Sequence, residues 1–437
     1  MEEVRRLRSF PVADIGSLDW FSAQQNIMTL HGAIVSEMQH GVLSPSARLV
    51  QEEDKTDILV QEMISLAAWK RHVLPEIKHK DTIGQVFPIY SILFYETVYS
   101  SVLLSVMYCH ENDLVTLFEE EVLCELMDHC VAHLVLLIGM TNKKTPLNLN
   151  PTLSEEDNNL TNAERINRFE QDLEYQVSNI LLSILRLIID HLEDLSLSLL
   201  TRIIQHHDVA MLLVHLVENQ AWLNKDVEGN KLKYTDSWTK VKPEDRFLLS
   251  KYEAQAWKML LDLLLHPKCA ELYEISSYRQ QELLKLEKHL HEIIIDQFPA
   301  LQAFRHWFAQ LKMTSGRNVA AKPLIVEIET GSIHNKLERA NWPAITDNII
   351  AMLNSPEYLS EIAAKHSDVY VNFEKYYTEG KDRKKGKDGQ DGSKEGHLCG
   401  SCQERAKFRC SRCKDVWYCN KTCQVKDWDV HRKYCSV

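Results

Sequence analysis

Cysteine is scarce through most of this sequence. Only Cys109, Cys124, Cys130 and Cys269 lie in the first 398 of its 437 residues, and they stand mostly inside apolar stretches. A disulfide-stabilised secreted domain has a much denser cysteine pattern, so a disulfide framework is excluded here. We expect these four residues to be reduced, buried thiols in a protein that functions inside the cell.

Long apolar runs and a leader-like start are also missing. The first ten residues are rich in charge and lack the apolar segment of a secretory signal. The most membrane-like run, Tyr90–Tyr108, contains Glu96 and four serines, which favours a buried core helix over a membrane span. We therefore expect a soluble cytoplasmic protein with no membrane span.

Motifs of the common enzyme classes are absent from the sequence. It contains no phosphate-binding glycine loop, no dinucleotide-binding turn and no nucleophile elbow. The adjacent His206 and His207 are the best ligand-like pair outside the C-terminal region, but two neighbouring histidines are far too few to define a site. The sequence therefore predicts a protein that is not an enzyme.

Excess positive charge is lacking too. The formal net charge is -12 at pH 7, which argues against nucleic acid as the main partner. The residues after His397 are locally basic, and this surplus is better explained as compensation for an anionic metal–thiolate core than as a nucleic-acid surface. We expect protein partners instead.

Amphipathic helical segments fill residues 1–377. Apolar side chains recur there every three and four residues. The clearest stretches are Leu59–Val73, Val177–Ile188, Val209–Val217, Trp257–Leu265 and Leu301–Leu311. Helices of this length joined by short breaks predict a mainly α body, either solenoid-like in the manner of armadillo or HEAT repeats or an irregular bundle.

Three segments interrupt the helical pattern. The polar segment 141–162 predicts an exposed loop between two lobes, 1–140 and 163–377. Residues Lys231–Val241 fit either a small hairpin or a plain loop. The segment 378–396 has no apolar residue, so it predicts a flexible charged linker before a small compact region at 397–437.

That last region holds eight metal-type ligands in the order C-x2-C-x7-C-x2-C-x5-C-x3-C-x7-H-x3-C. They are Cys399, Cys402, Cys410, Cys413, Cys419, Cys423, His431 and Cys435. Seven thiolates and one imidazole in closely spaced pairs are typical of two tetrahedral, structural zinc sites. Spacing alone leaves two pairings open, because the four pairs can be used in sequence or interleaved.

The ligand pattern, together with Trp417-Tyr418 and the segment Asp427–His431, resembles the MYND zinc-finger family. The resemblance implies the interleaved pairing, with Cys399, Cys402, Cys419 and Cys423 on one zinc and Cys410, Cys413, His431 and Cys435 on the other. It also implies a protein-interaction module that binds a short peptide in a groove. Gln424 and Trp428 are candidates for that groove, since they share one helix face; alternatively, Trp428 packs beside Tyr418.

Short segments of the body extend the resemblance along the chain. They are residues 7–11, 62–63, 69–70, 87–90 and 195–198, followed by the single C-terminal finger. Together they resemble MYND-finger proteins that assemble axonemal dynein arms for motile cilia. The resemblance implies a cytoplasmic location, including the apical or centriolar-satellite region of ciliated cells. It implies as partners other assembly factors, heat-shock chaperones and dynein chains as clients.

Two other activities of MYND proteins provide alternatives. A nuclear corepressor adaptor would recruit its partners through the same finger, with the lysine-rich linker as a nuclear signal. A lysine methyltransferase would need a SET domain, and the sequence has neither an Asn-His-x-Cys segment nor a glycine-rich cofactor strand. The dynein-arm assembly adaptor is therefore the favoured prediction.

Overall fold

The structure is a computed structural model. It describes residues 2–40, 43–79, 86–110, 114–142, 146–147, 160–242, 245, 247–313, 331–364, 399, 401–402, 406, 408–410 and 416–431. The chain forms two compact units. The first comprises residues 1–240 and 249–370, and the second comprises 241–248 and 371–437. The predicted linker 378–396 lies outside the described residues.

Seven α-helices lie among the described residues up to residue 142. They are α1 (Glu2–Arg5), α2 (Leu18–Gln39), α3 (Pro45–Glu52), α4 (Thr56–His72), α5 (Leu74–His79), α6 (Phe87–Cys109) and α7 (Glu120–Asn142). Ser17 and Ser44 cap α2 and α3 by accepting backbone N–H groups from the first turn of each helix.

Among the described residues, the rest of the first unit contains further helices and one small sheet. The helices include α8 (Asn162–Asp190), α9 (Leu197–Thr201), α10 (Val209–Glu218), α11 (Lys251–Leu265), α12 (Pro267–Leu272), α13 (Ser277–Lys285), α14 (Glu292–Gln297), α15 (Leu301–Met313), α16 (Ser332–Glu338) and α17 (Trp342–Leu353). The predicted mainly α class is confirmed. Solenoid-like stacking is not confirmed.

Helix α8 is the longest described helix and lies at the centre of the first unit. It begins with a capping box, in which Thr161 Oγ1 accepts the Glu164 N–H and the Glu164 carboxylate accepts the Thr161 N–H. Its C-terminal half is apolar and buried, as the periodicity of Val177–Ile188 predicts. This half packs against α6, α7 and α11.

The division of the body into lobes 1–140 and 163–377 is not supported. Helix α8 follows the loop 141–162, yet it makes its most extensive contacts with α6 and α7, which precede that loop. Both stretches accordingly belong to one compact unit. A polar loop shows where the chain leaves the core, but the packing of α8 shows that the chain returns to the same core.

The segment Lys231–Val241 contains a hairpin. Strands β2 (Lys231–Tyr234) and β3 (Trp238–Lys240) pair antiparallel, with Tyr234 opposite Trp238, and β1 (Leu223–Lys225) adds a third strand on the other side of β2. Leu232 and Tyr234 point inward and are buried, while the intervening Lys233 is not. The alternation of two apolar residues was therefore a real strand signal.

The apolar run Tyr90–Tyr108 falls inside α6, as expected of a core helix. Helices α6 and α7 are both long and apolar enough to span a membrane by length and composition. In the structure, 72% and 61% of their most apolar windows are buried against other parts of the chain. Core helices and membrane helices share this composition, so the two helices do not indicate a span.

Glu62 on α4 anchors the N-terminal segment from inside the core. Its side chain is fully buried, and Oε1 accepts the backbone N–H of Phe10 at 2.7 Å. Burial raises the pKa of Glu62 to about 7, although the hydrogen bond from Phe10 partly opposes this rise. The buried carboxyl is thus protonated below neutral pH and becomes charged above it.

We predict that Glu62→Gln stabilises the protein more at pH 8 than at pH 5. Because the folded-state pKa lies above the unfolded value of 4.5, the protonated carboxyl favours folding at acidic pH. This contribution is lost as the pH rises through 7. The free energy of unfolding of the wild type therefore falls by roughly 2 kcal/mol between pH 5 and 8. Denaturant unfolding of the variant and the wild type at both pH values measures the difference in their free energies of unfolding. A gain that does not change with pH, or one matched by exposed Glu76→Gln, contradicts the prediction.

Candidate metal centre

Four cysteines of the C-terminal unit converge on one point. The possible ligand atoms of Cys399, Cys402, Cys419 and Cys423 all lie within 4.8 Å of one another. The Cys402–Cys419 and Cys419–Cys423 sulfur distances are 3.4 Å, and the Cys402–Cys423 distance is 3.7 Å. Tetrahedral zinc with bonds of about 2.3 Å separates its sulfur ligands by about 3.8 Å. The four thiols therefore fit one zinc ion with small adjustments.

The electrostatics of this thiol group also suit a cation. Burial disfavours ionisation of Cys399, but backbone N–H groups of Cys419, Ser401 and Cys402 point at its sulfur and lower its pKa to about 6. Hydrogen bonds to the Cys423 and Cys402 sulfurs are the main reason that the pKa of Cys419 rises to about 12, and burial adds a smaller contribution. The group thus ionises Cys399 readily and resists ionising Cys419, and a dication is what would stabilise all four thiolates together.

Short secondary structure holds these ligands in place. Strands β4 (Phe408–Arg409) and β5 (Trp417–Tyr418) pair antiparallel, and helix α18 (Lys421–His431) follows directly. Asn420 Oδ1 accepts the Cys423 N–H at 2.9 Å, which fixes the first turn of α18 beside Cys419. The Tyr418 hydroxyl donates to Asp427 at 2.8 Å and ties β5 to the middle of α18.

Two ligands predicted for the second zinc are also adjacent. His431 Nε2 lies 3.4 Å from Cys410 Sγ, and both residues are buried. Cys413 and Cys435, the other two predicted ligands, lie outside the described residues. The structure thus groups Cys399 and Cys402 with Cys419 and Cys423, and places Cys410 beside His431, as in the interleaved pairing that the resemblance implies.

The core of this unit is too small to fold by apolar burial alone. Cys399, Cys410 and Tyr418 are buried in it, with Val416 and Ala406 packed against them. Domains of this size usually need a metal or disulfides to fold, because the surface they bury is too small to offset chain entropy. Cys399 and Cys410 are themselves candidate ligands, so metal binding and core formation are one process.

Gln424 and Trp428 lie four residues apart on α18. Trp428 is 37% exposed, and its ring lies 5.9 Å from that of His431. Gln424 is half-buried. Trp428 does not belong to the small core around Tyr418, so an exposed aromatic side chain is present on this helix. Its role in a peptide groove stays a prediction.

His206 and His207 are explained by local contacts. His207 Nε2 lies 2.7 Å from Asp128 Oδ1 on α7, and the two imidazole rings touch edge to face at 4.6 Å. Two groups with metal-ligand geometry occur among the described residues, and neither includes these histidines.

The second of those groups was missed from the sequence. Glu96, His129 and His133 bring three possible ligand atoms within 4.8 Å of one another in the helical body. The local signal was the spacing of the two histidines, which places them on one face of a helix. Their partner Glu96 lies on a different helix, and no local pattern links it to them.

We predict that Cys399→Ala and His431→Ala each unfold the C-terminal unit and release its zinc while the helical body stays folded. Structural zinc contributes on the order of 10 kcal/mol per site, far more than the small core can replace. Cys269→Ala is the matched control, since it removes a buried thiol of the body that belongs to neither ligand group. Metal analysis and circular dichroism report the outcome. Retention of the full zinc content by either ligand variant contradicts the assignment.

Comparisons with known proteins agree with this geometry. The MYND finger family model matches residues 399–435. The zinc finger MYND domain-containing protein 10 homolog of Drosophila melanogaster is 28% identical over 99% of this chain and 96% of its own length. Ubiquitin carboxyl-terminal hydrolase 15 of Arabidopsis thaliana is 51% identical over 37 residues, which are 8% of this chain and 4% of that protein. No solved structure matches. Residues 399–435 thus match the MYND finger, and the chain over almost its whole length is similar to a zinc finger MYND domain-containing protein 10 homolog.

Proposed function

We propose that this chain is a non-enzymatic cytoplasmic adaptor that helps to assemble axonemal dynein arms for motile cilia. The observation that carries the proposal is the extent of the similarity to the Drosophila relative, which covers both the helical body and the finger. A match confined to 8% of the chain, like that to the ubiquitin hydrolase, would support only a generic finger. The dynein assignment itself rests on the resemblance of the body segments together with the finger.

The finger acts as an interaction module in this proposal. It holds two structural zinc ions, one on Cys399, Cys402, Cys419 and Cys423, the other on Cys410, Cys413, His431 and Cys435. Four protein ligands saturate tetrahedral zinc and leave no position for a catalytic water, so the zinc serves folding. Binding is left to the exposed surface of α18, where Trp428 and Gln424 would contact a short peptide of a partner protein.

The helical body supplies the second binding surface. It would hold a dynein chain as client or a heat-shock chaperone while the finger holds another assembly factor. The predicted linker of about 20 residues spans roughly 25 Å as a flexible chain, which keeps the two bound proteins at a high effective concentration. The adaptor would thus favour an encounter between client and assembly factor without catalysing a reaction.

We predict that the full chain and a chain ending at Tyr377 capture different partners from multiciliated cells. Loss of the finger should remove assembly factors bound through α18 and leave client or chaperone bound to the body. Mass spectrometry of co-purifying proteins measures both sets.

The same experiment on fractionated cells tests the location, since a nuclear pool bound to transcriptional corepressors would contradict the proposal and favour the corepressor alternative.

Within the finger, we predict that Trp428→Ala weakens partner binding at least tenfold without releasing zinc. A buried aromatic anchor at a peptide interface typically contributes 2 kcal/mol or more, which corresponds to more than tenfold in affinity. Lys426→Ala is the control, because Lys426 is exposed and projects from the opposite face of α18. Calorimetric titration with the captured partner measures the affinity of the wild type and of each variant. Equal affinities for wild type and the Trp428 variant would place the binding surface elsewhere.

A further inference from the structure

A buried polar cluster lies between four helices of the body. Lys70 from α4, Glu96 from α6, His129 and His133 from α7, and Glu174 from α8 make it up. Glu96, His129 and His133 are 2%, 9% and 3% exposed, so the cluster is almost entirely removed from solvent. No sequence motif or comparison assigns a role to it.

The charges of this cluster do not balance. Lys70 Nζ lies 2.6 Å from Glu96 Oε2 and 2.5 Å from Glu174 Oε2, so one ammonium group serves two carboxylates. With neutral imidazoles the sum is one negative charge in the interior. An uncompensated negative charge in the interior costs several kcal/mol and attracts a cation; a divalent ion would change the net charge of the cluster from -1 to +1.

The orientation of His133 shows where that cation belongs. Its Nδ1 hydrogen-bonds with Ser178 Oγ at 3.4 Å and lies 2.9 Å from Glu174 Oε1, and a proton on Nδ1 suits both contacts. Nε2 then presents a lone pair toward Glu96 Oε1, 3.6 Å away. Two acceptor atoms that face each other at this distance repel unless something positive lies between them.

The spacing fits a bound metal ion. Tetrahedral zinc, with bonds of about 2.0–2.2 Å to nitrogen and oxygen, separates such ligands by about 3.4 Å. His129 is on the same side of α7, four residues before His133, and their rings lie 4.6 Å apart. Its Nε2 is buried without a hydrogen-bond partner in the described structure, and so is Glu96 Oε1. Buried polar atoms of this kind are typical of an ion-binding site.

We propose that Glu96, His129 and His133 bind a divalent transition-metal ion of the zinc class inside the helical body. Lys70 and Glu174 are positioning residues: Lys70 holds the far oxygens of both carboxylates, and Glu174 orients the His133 ring, as a carboxylate commonly does for a metal-binding histidine. Since the site is closed to solvent, the metal is a structural clamp between α6 and α7 that binds as the body folds.

The proposal is tested by the metal content of the full-length chain. Wild type should carry one equivalent more than His129→Gln, measured by elemental mass spectrometry after purification with zinc. His31→Gln is the matched control, because His31 is equally buried, on α2, and belongs to neither ligand group; it should match wild type. Cys399→Ala should lose only the metal of the finger and keep the body equivalent.

Equal metal content in folded wild type and His129→Gln overturns the proposal. The cluster would then be a buried ion-pair network of Lys70 with Glu96 and Glu174. If His129→Gln does not fold, cobalt titration of wild type decides. A site of two imidazoles and one carboxylate adds ligand-field absorption without thiolate-to-cobalt charge transfer. If the ligand-field absorption and the thiolate-to-cobalt charge-transfer absorption saturate at the same number of cobalt equivalents, that result contradicts a metal site in the body.

Discussion

The body depends on the buried charge cluster that joins α4, α6, α7 and α8. These four helices share the most extensive contacts in the molecule, and each contributes a charged or ligand side chain to the cluster. Apolar packing alone tolerates rotation or sliding of one helix against another. A buried ammonium group shared by two carboxylates does not, because any shift leaves a charge unpaired in the interior. The cluster therefore fixes the register of the helices.

The finger uses the same physical principle on a smaller scale. Its thiols and imidazole occupy the positions that apolar side chains would take in a larger core, and the cation that neutralises them also determines the fold. In the proposed function, the helical body and the metal-folded finger each provide one binding surface. Loss of the metal from the finger would remove one surface while leaving the other in place.

Much of this organisation could be predicted from the sequence because its signals are local. The apolar period of Val177–Ile188 specifies a buried helix face, and the alternation of Leu232 and Tyr234 specifies a strand. The ligand order of the finger identifies a zinc module, since its ligands lie within a few dozen residues. The interleaving of those ligands required either family resemblance or the folded structure.

The features that escaped prediction depend on tertiary contacts. Glu96 looked like an interruption in an apolar run, which favoured a buried core helix, but nothing local joined it to His129 and His133. The loop 141–162 suggested a boundary between lobes, whereas α8 packs back onto the helices that precede it. In both cases the determining contacts join residues on different helices, and periodicity carries no information about them.

Hydrogen exchange on metal-loaded and metal-stripped full-length protein tests the central claim most directly. If a cation completes the buried cluster, stripping should lower the protection of backbone amides in α6 and α7 around Glu96 and His133, as well as in the finger. Helix α15, which is remote from both ligand groups in sequence and contributes no ligand, should be affected least. Loss of protection in the finger alone, with α6 and α7 unchanged, would contradict the account.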